Sequence, residues 1–139
     1  YSLCWRVRAN RHLEPEDRTI ALNAVRYWDG TRWRVLVAVV MPDHVHAITR
    51  PLPLAAGTDA VHPLAELLHS VKGYSAKAIN RRQGSAGPLW QDERYDRIVR
   101  DERELEETWN YIRYNPVAAG LVETPEQYNW LYEAPVETW

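Results

Sequence analysis

The sequence predicts an α+β fold with the element order βαββαβ, an antiparallel sheet and one further helix near the C-terminus. Its centre carries the nearly continuous apolar stretch WRVLVAVVM at 33–41, and after Pro42-Asp43 the alternating stretch HVHAIT at 44–49. Two such stretches around a short turn are typical of an antiparallel hairpin whose first strand is buried on both faces. Segments of helical periodicity stand before and after this hairpin, and a third follows a last short strand.

The elements before the hairpin are a strand and a helix. Residues 1–8, YSLCWRVR, alternate loosely between apolar and polar and predict a first strand. A helix is predicted over 15–28, because Pro15 and the acids after it suit a helix N-terminus and apolar residues follow at helical spacing. Asp29-Gly30 ends this helix.

The elements after the hairpin begin with a loop over 50–62, which is rich in Pro, Ala, Gly and Thr. A second helix is predicted from Pro63 to about Arg82, with Gly73 as a weak point in its middle. The glycine-rich segment 84–88 forms a second loop before the next strand.

The last strand is predicted within LWQDERYDRIVR, residues 89–100, with Tyr95, Arg97 and Val99 on one face. Asp101 opens a third helix that has acids in its first turn. This helix is predicted to end near Asn115, because proline disfavours the α conformation in the residue before it and Pro116 follows. The remainder to Trp139 is predicted to form a short helical turn and then an extended tail. The complete order is that of ferredoxin-like domains, a fold that serves many functions.

Length and composition bound the kind of protein. The 139 residues suffice for one ordinary core, so a single domain over 1–139 is expected. Cys4 is the sole cysteine, which excludes an intramolecular disulfide and a thiolate zinc site. The opening residues do not resemble a signal peptide and no apolar stretch is long enough to span a bilayer, so we expect a cytoplasmic protein.

The charge balance gives little support to a nucleic-acid partner, because the formal net charge is −2 and DNA-binding proteins are often basic. Basic residues nevertheless cluster at Arg6, Arg8 and Arg11 near the start of the sequence. A larger set in the second half could follow a phosphate backbone: Lys72, Lys77, Arg81, Arg82, Arg94, Arg97 and Arg100. A plain solvated surface explains such clusters as well.

The histidine pair of the second hairpin strand is the first chemical signal. Residues at i and i+2 of a strand point the same way, so His44 and His46 present two imidazoles on one face while Val45 faces the other. Two neutral imidazoles on one strand can share a metal ion. Two histidines that are solvated or hydrogen-bonded at a sheet surface are the alternative.

The surroundings of this pair carry a family resemblance. The segment MPDHVHAI at 41–48 resembles the histidine–hydrophobic–histidine motif of the HUH endonuclease superfamily, specifically its single-tyrosine transposases and the REP-associated tyrosine transposases. Further on, GPLWQ at 87–91 and the block YIRYNPV at 111–117 are similar to the second half of those proteins. The resemblance covers roughly 33–122.

Tyr111 and Asn115 lie four residues apart and therefore share a helix face. The resemblance implies that Tyr111 is the nucleophile and that Asn115 is a third metal ligand beside His44 and His46. Other interpretations stay open from the residues alone. Asn115 could satisfy carbonyls at the helix end, Tyr111 could pack against the sheet, and Tyr114 lies close to the same face.

The resemblance thus implies a metal-dependent enzyme that cuts and rejoins single-stranded DNA at hairpin-associated sites through a 5′-phosphotyrosine intermediate. A hard ion, Mg²⁺ or Mn²⁺, suits a phosphate substrate better than a closed zinc site. The implied partner is DNA with REP-like hairpins, and the protein would act as a monomer or a homodimer. Trp90 is a candidate for stacking on a base, with a place in the core as its alternative.

Two other functions remain open at this point. A catalytically inactive domain could bind single-stranded nucleic acid on its sheet face, as other ferredoxin-like domains do. A small metal-dependent hydrolase with a different substrate is the other, although no acidic partner motif accompanies His44 and His46.

Overall fold

Five strands, three helices and one short 3₁₀ turn make up the computed structural model, which describes residues 1–135. In chain order they are β1 (Ser2–Val7), α1 (Pro15–Arg26), β2 (Trp33–Val40), β3 (His44–Pro51), α2 (Leu64–Gln83), β4 (Trp90–Arg97), α3 (Glu102–Ala118), the 3₁₀ turn (Pro125–Gln127) and β5 (Leu131–Glu133).

The strands form one sheet in the order β4-β1-β3-β2-β5, and every neighbouring pair is antiparallel. The first four strands and the two helices between them have the predicted βαββαβ order, which confirms the α+β fold class. The central hairpin also has the predicted turn. Met41, Pro42 and Asp43 connect β2 to β3, and the amide of Met41 donates to the carbonyl of His44 over 2.8 Å, which places Pro42 and Asp43 at the tip of the turn.

The first face of the sheet carries α1 and α2. Alternate residues of β1 and β3 point to this side and pack with both helices in a core that contains Leu3, Trp5, Val7, Val45, Ala47, Leu22, Val25, Leu67, Leu68, Val71 and Ile79. The residues between them in β1 and β3 therefore project from the opposite face, and these include Cys4, Arg6, His44 and His46.

The second face is covered in part by α3. Trp109 and Ile112 of this helix pack with Val37 and Val39 of β2 and with Ile48 of β3 in a second core. The tail after α3 extends that core and closes it on one side: the hydroxyl of buried Tyr128 donates to the carbonyl of Val40 over 2.6 Å. The helix thus lies over β2 and β3, and the sheet beyond them towards β4 stays open.

The predicted end of the third helix near Asn115 is wrong. The helix runs on to Ala118 with Pro116 inside it, and the positive φ of +76° at Gly120 follows its end. Proline removes one backbone donor, but the amide of Leu121 still reaches the carbonyl of Pro116 over 2.9 Å and the Pro116 ring is buried. These contacts offset the unfavourable backbone conformation before a proline.

The predicted short helical turn corresponds to the 3₁₀ turn, and three residues of the predicted extended tail form β5, which pairs with the outer edge of β2. The last residues, 136–139, lie outside the described part of the chain. Within residues 1–135, none of the helices combines the length and the apolar character that crossing a membrane requires.

Candidate active site

The two histidines of β3 lie on the second sheet face beside α3, where each is partly buried. The alternation of β3 places them there: Val45 and Ala47 are completely buried against α1 and α2, which turns His44 and His46 to the other side. The register pairs His44 with Arg6 and His46 with Cys4 of β1, so those two side chains share the face.

Asp43 orients His44. The Nδ1 atom of His44 lies 2.7 Å from Oδ1 of Asp43, and a carboxylate at that distance accepts a hydrogen bond from the ring N–H. Burial alone would raise the pKa of Asp43, but the hydrogen bond from His44 and the charge of Arg6 outweigh it and lower that pKa. With Nδ1 protonated, the lone pair of the neutral ring is at Nε2.

Asn115 of α3 faces that lone pair. Its Nδ2 atom lies 3.4 Å from Nε2 of His44. A half-turn of the amide exchanges Nδ2 and Oδ1 at nearly the same positions, so the side chain can present its oxygen to the same point. Continuation of α3 through Pro116 keeps Asn115 within regular helix, where its side chain is aimed at the sheet.

His46 is held in its neutral form. Burial, together with the positive charges of His44 and Arg6, lowers the pKa of His46 from 6.5 to about 4. Its Nε2 atom lies 3.2 Å from the hydroxyl oxygen of Ser2. A neutral imidazole is the form that binds a metal ion, so at neutral pH His46 needs to lose no proton first.

The Tyr111 ring meets His46 edge to face, with ring centroids 5.8 Å apart, while 66% of the tyrosine remains exposed. Tyr114, the rival from the sequence, is 48% exposed and has the Arg113 guanidinium 5.4 Å from its ring centroid. Within residues 1–135, Tyr111 is the tyrosine of α3 whose ring contacts a histidine of β3.

The donor atoms fit an open metal site. Two neutral imidazoles and one amide oxygen are a partial ligand set, which suits an ion that keeps water molecules and accepts phosphate oxygens. Residues 1–135 contain no group of three or more His, Cys, Asp and Glu side chains that could hold a metal, so a closed structural zinc site is not present in that part of the chain.

Comparison with known proteins bears on this geometry. The chain is 28% identical over 100 residues to a protein of Haemophilus influenzae named as a REP-associated tyrosine transposase. The matched region covers 68% of this chain and 54% of that protein. The chain is thus similar in sequence to a protein named as a REP-associated tyrosine transposase. It spans about half the length of the curated relative that it matches. No family model matches it.

Two solved structures have a fold similar to that of this chain. The structure of a REP-associated tyrosine transposase bound to a REP hairpin covers 94% of this chain and 73% of its own, with a TM-score of 0.67 and 19% identity. The crystal structure of a protein described as a transposase from Deinococcus radiodurans covers 80% of this chain and 85% of its own, with a TM-score of 0.53 and 19% identity. The protein of Haemophilus influenzae and the first of these structures are named as tyrosine transposases, which are enzymes.

The basic side chains that the sequence predicts to follow a phosphate backbone do not form one groove in the structure. Lys72 and Arg94 line a groove of about 420 Å³ between α2 and β4, on the first-face side of the sheet. Arg97 and Arg100 line a separate groove at the start of α3, where Arg97 is paired with Glu104. The others, Lys77, Arg81 and Arg82, are exposed on α2.

Arg82 and Trp90 serve the structure itself. The Nε atom of Arg82 donates to buried Asp17 over 2.5 Å, which joins α2 to α1. Trp90 is only 5% exposed, and its indole donates to Ser75 over 3.1 Å. That burial agrees with the core alternative for Trp90, and we leave it out of the DNA-contacting residues proposed below.

Sequence reasoning missed three side chains that border the histidines: Ser2, Arg6 and Asp43. Asp43 directly precedes the motif and offered a signal, because a carboxylate next to a histidine ligand commonly fixes its tautomer. Ser2 offers none and Arg6 offers only its membership of a basic cluster, because their place beside β3 follows from the pairing of β1 with β3.

Proposed function

We propose that the chain is a metal-dependent single-stranded DNA endonuclease and strand transferase that forms a 5′-phosphotyrosine intermediate at hairpin-associated sites. One observation carries the proposal: the Tyr111 ring lies against His46 at a centroid distance of 5.8 Å, beside the face where His44 and Asn115 meet. The relation to the REP-associated tyrosine transposases supports DNA with REP-like hairpins as the substrate.

His44, His46 and Asn115 would hold the metal, which is Mg²⁺ or Mn²⁺ in this proposal. When bound, such an ion supplies charge stabilisation to the non-bridging oxygens of the scissile phosphate. Asp43 keeps the His44 lone pair at Nε2 through the 2.7 Å contact at Nδ1.

Tyr111 supplies the nucleophile. Its phenolic oxygen forms a bond to phosphorus while the bond from phosphorus to the 3′ oxygen breaks. The phenol loses its proton to solvent, to which its side chain is open, and the leaving oxygen takes up a proton to become a free 3′ hydroxyl. The 5′-phosphotyrosine link keeps the energy of the broken phosphodiester bond. The 3′ hydroxyl of another strand end can therefore attack this link, join to the phosphate and release the phenol.

Tyr111→Phe tests the assignment of the nucleophile. The variant keeps the ring contact with His46 and lacks the attacking oxygen, so it should form no covalent adduct with a hairpin-bearing single strand in the presence of Mn²⁺. Denaturing gel electrophoresis of the labelled oligonucleotide shows cutting, covalent attachment and the need for metal together.

Tyr114→Phe is the matched control and should retain the adduct, because that ring contacts Arg113 and not the histidines in the described part of the chain. An undiminished adduct in Tyr111→Phe would contradict the assignment. If the wild-type protein shifts the oligonucleotide but never cuts it, the catalytically inactive binding domain replaces our proposal.

A further inference from the structure

A row of side chains crosses the second sheet face from the candidate active site to the sheet edge. The register places Cys4 of β1 directly opposite His46 of β3, and Tyr95 of β4 directly opposite Cys4. Directly paired residues project from the same face, so Tyr95 shares the face of the histidines. Two strand spacings separate it from His46, which is about 10 Å.

The Tyr95 ring is open to solvent. It is 67% exposed, and no hydrogen bond or aromatic contact engages it within residues 1–135. The helix on this face, α3, packs on β2 and β3, and no helix of the described residues 1–135 lies over the half of the face formed by β1 and β4. An uncovered aromatic ring on a flat sheet is a surface on which an unpaired base can stack.

Positive charge flanks the ring on the same face. Arg6 of β1 pairs with His44 in the register, is about half exposed, and lies 3.9 Å from Asp43 in a loose ion pair. Arg97 is two residues beyond Tyr95 and points the same way, with Glu104 as its partner. Guanidinium groups on both sides of an exposed ring suit a strand that carries a phosphate at every nucleotide.

We infer that the β1 and β4 half of the second sheet face binds the single-stranded DNA next to the scissile phosphate, with Tyr95 as the base-stacking side chain and Arg6 as a phosphate contact. The inference rests on the proposed function, since a strand that reaches Tyr111 and His46 continues over Cys4 to Tyr95. Duplex DNA does not fit this role, because its bases are stacked on each other and offer no free face.

Equilibrium binding of a fluorescein-labelled oligothymidine tests this surface. A length of about 12 nucleotides lies within the range that single-strand-binding surfaces accept. Tyr95→Ala should weaken binding roughly 5- to 100-fold, the loss typical of one base-aromatic stack. Tyr95→Phe should restore binding to near the wild-type value, because it keeps the ring.

Two controls make the result specific. Tyr74→Ala removes an equally exposed tyrosine, 65% exposed, from a groove between α1 and α2 on the other side of the sheet, and should leave binding unchanged. A strand of the same length and charge that lacks its bases should bind the wild type and Tyr95→Ala equally.

The inference is overturned if Tyr95→Ala binds oligothymidine as tightly as the wild type. It is also overturned if Tyr95→Ala loses as much affinity for the baseless strand as it loses for oligothymidine. Either result is separable from failure of the proposed function. An adduct at Tyr111 without an effect of Tyr95→Ala removes this inference alone, and an effect of Tyr95→Ala without any adduct removes the nuclease proposal alone.

Discussion

At the scale of single residues, the contact between Asp43 and His44 decides which nitrogen of the ring faces the candidate metal site. The 2.7 Å distance from Nδ1 to the carboxylate leaves Nε2 as the acceptor, which is the atom that faces Asn115. The two residues are adjacent in the chain, so the orienting group comes with the turn between β2 and β3. Within residues 1–135, no carboxylate is hydrogen-bonded to His46, and its Nε2 atom lies near the hydroxyl of Ser2.

Asp43→Ala should therefore lower the affinity for Mn²⁺ by about 10- to 100-fold, the usual cost of losing a carboxylate that orients a histidine ligand. Isothermal titration calorimetry with Mn²⁺ measures this without reference to cleavage. Asp92→Ala is the control, because that carboxylate is 97% exposed in a pair with Arg8. Equal affinity of Asp43→Ala and the wild type would show that His44 binds in either tautomer.

At the scale of elements, the position of α3 sets the position of the nucleophile, and one carboxylate ties α3 to the last strand. Glu133 of β5 accepts a hydrogen bond from the Trp109 indole over 2.7 Å. It accepts a further one from the Nε atom of Arg113 over 3.1 Å. Arg113 also contacts Glu126 near the 3₁₀ turn. The tail after α3 thus fixes the helix from the side away from the histidines.

Glu133→Ala should lower the free energy of unfolding by about 1–3 kcal/mol, because it leaves a partly buried indole donor and a guanidinium without this acceptor. Urea denaturation followed by tryptophan fluorescence measures the change. Glu107→Ala removes an exposed ion pair with Arg103 and should cost below about 0.5 kcal/mol. A loss for Glu133→Ala no larger than that for Glu107→Ala would mean that β5 does not hold α3.

The elements also show what the sequence could and could not predict. Alternation and helical periodicity were enough for β1 to β4, α1 and α2, because each pattern reflects burial of one face against one core. The predicted end of α3 is wrong because Pro116 is buried inside the helix, and local sequence rules for proline do not include burial in the folded chain. The three residues of β5 carry no periodicity, and their pairing depends on the free edge of β2.

In the candidate site, too, the sequence predicts the local patterns but not the long-range contacts. The pair His44 and His46, and the shared helix face of Tyr111 and Asn115, are local patterns of spacing that the sequence displays directly. The meeting of the two patterns is not local, because it requires α3 to pack on the face opposite α1 and α2. Arg6 and Tyr95 become neighbours of the site only through strand pairing, which single-sequence periodicity does not specify.

At the scale of the whole molecule, the two helices of the first face are joined by a buried carboxylate. Asp17, at the start of α1, is completely buried and accepts hydrogen bonds from Arg82 and Gln83 near the end of α2. It also accepts one from the backbone amide of Glu14 over 2.8 Å. Burial alone would raise the pKa of Asp17, but these hydrogen bonds outweigh it and bring the pKa below 3.8.

Asp17→Asn should destabilise the protein by about 3 kcal/mol at neutral pH, near the low end of the range for breaking a buried pair because Arg82 is one-third exposed. The sign of the pH dependence follows from the lowered pKa: the unfolded chain takes up the proton first as the pH falls. The stabilisation by Asp17 is therefore complete at a pH above its ordinary pKa of 3.8 and disappears as the pH falls through the lower pKa of the folded state.

Urea denaturation of the wild type and of Asp17→Asn from pH 7 down to about pH 3 should show the difference in unfolding free energy shrinking below a pH of 3.8. Asp59→Asn, in the exposed loop after β3, should give no such change, and a constant difference between Asp17→Asn and the wild type at every pH would contradict the role of the charge.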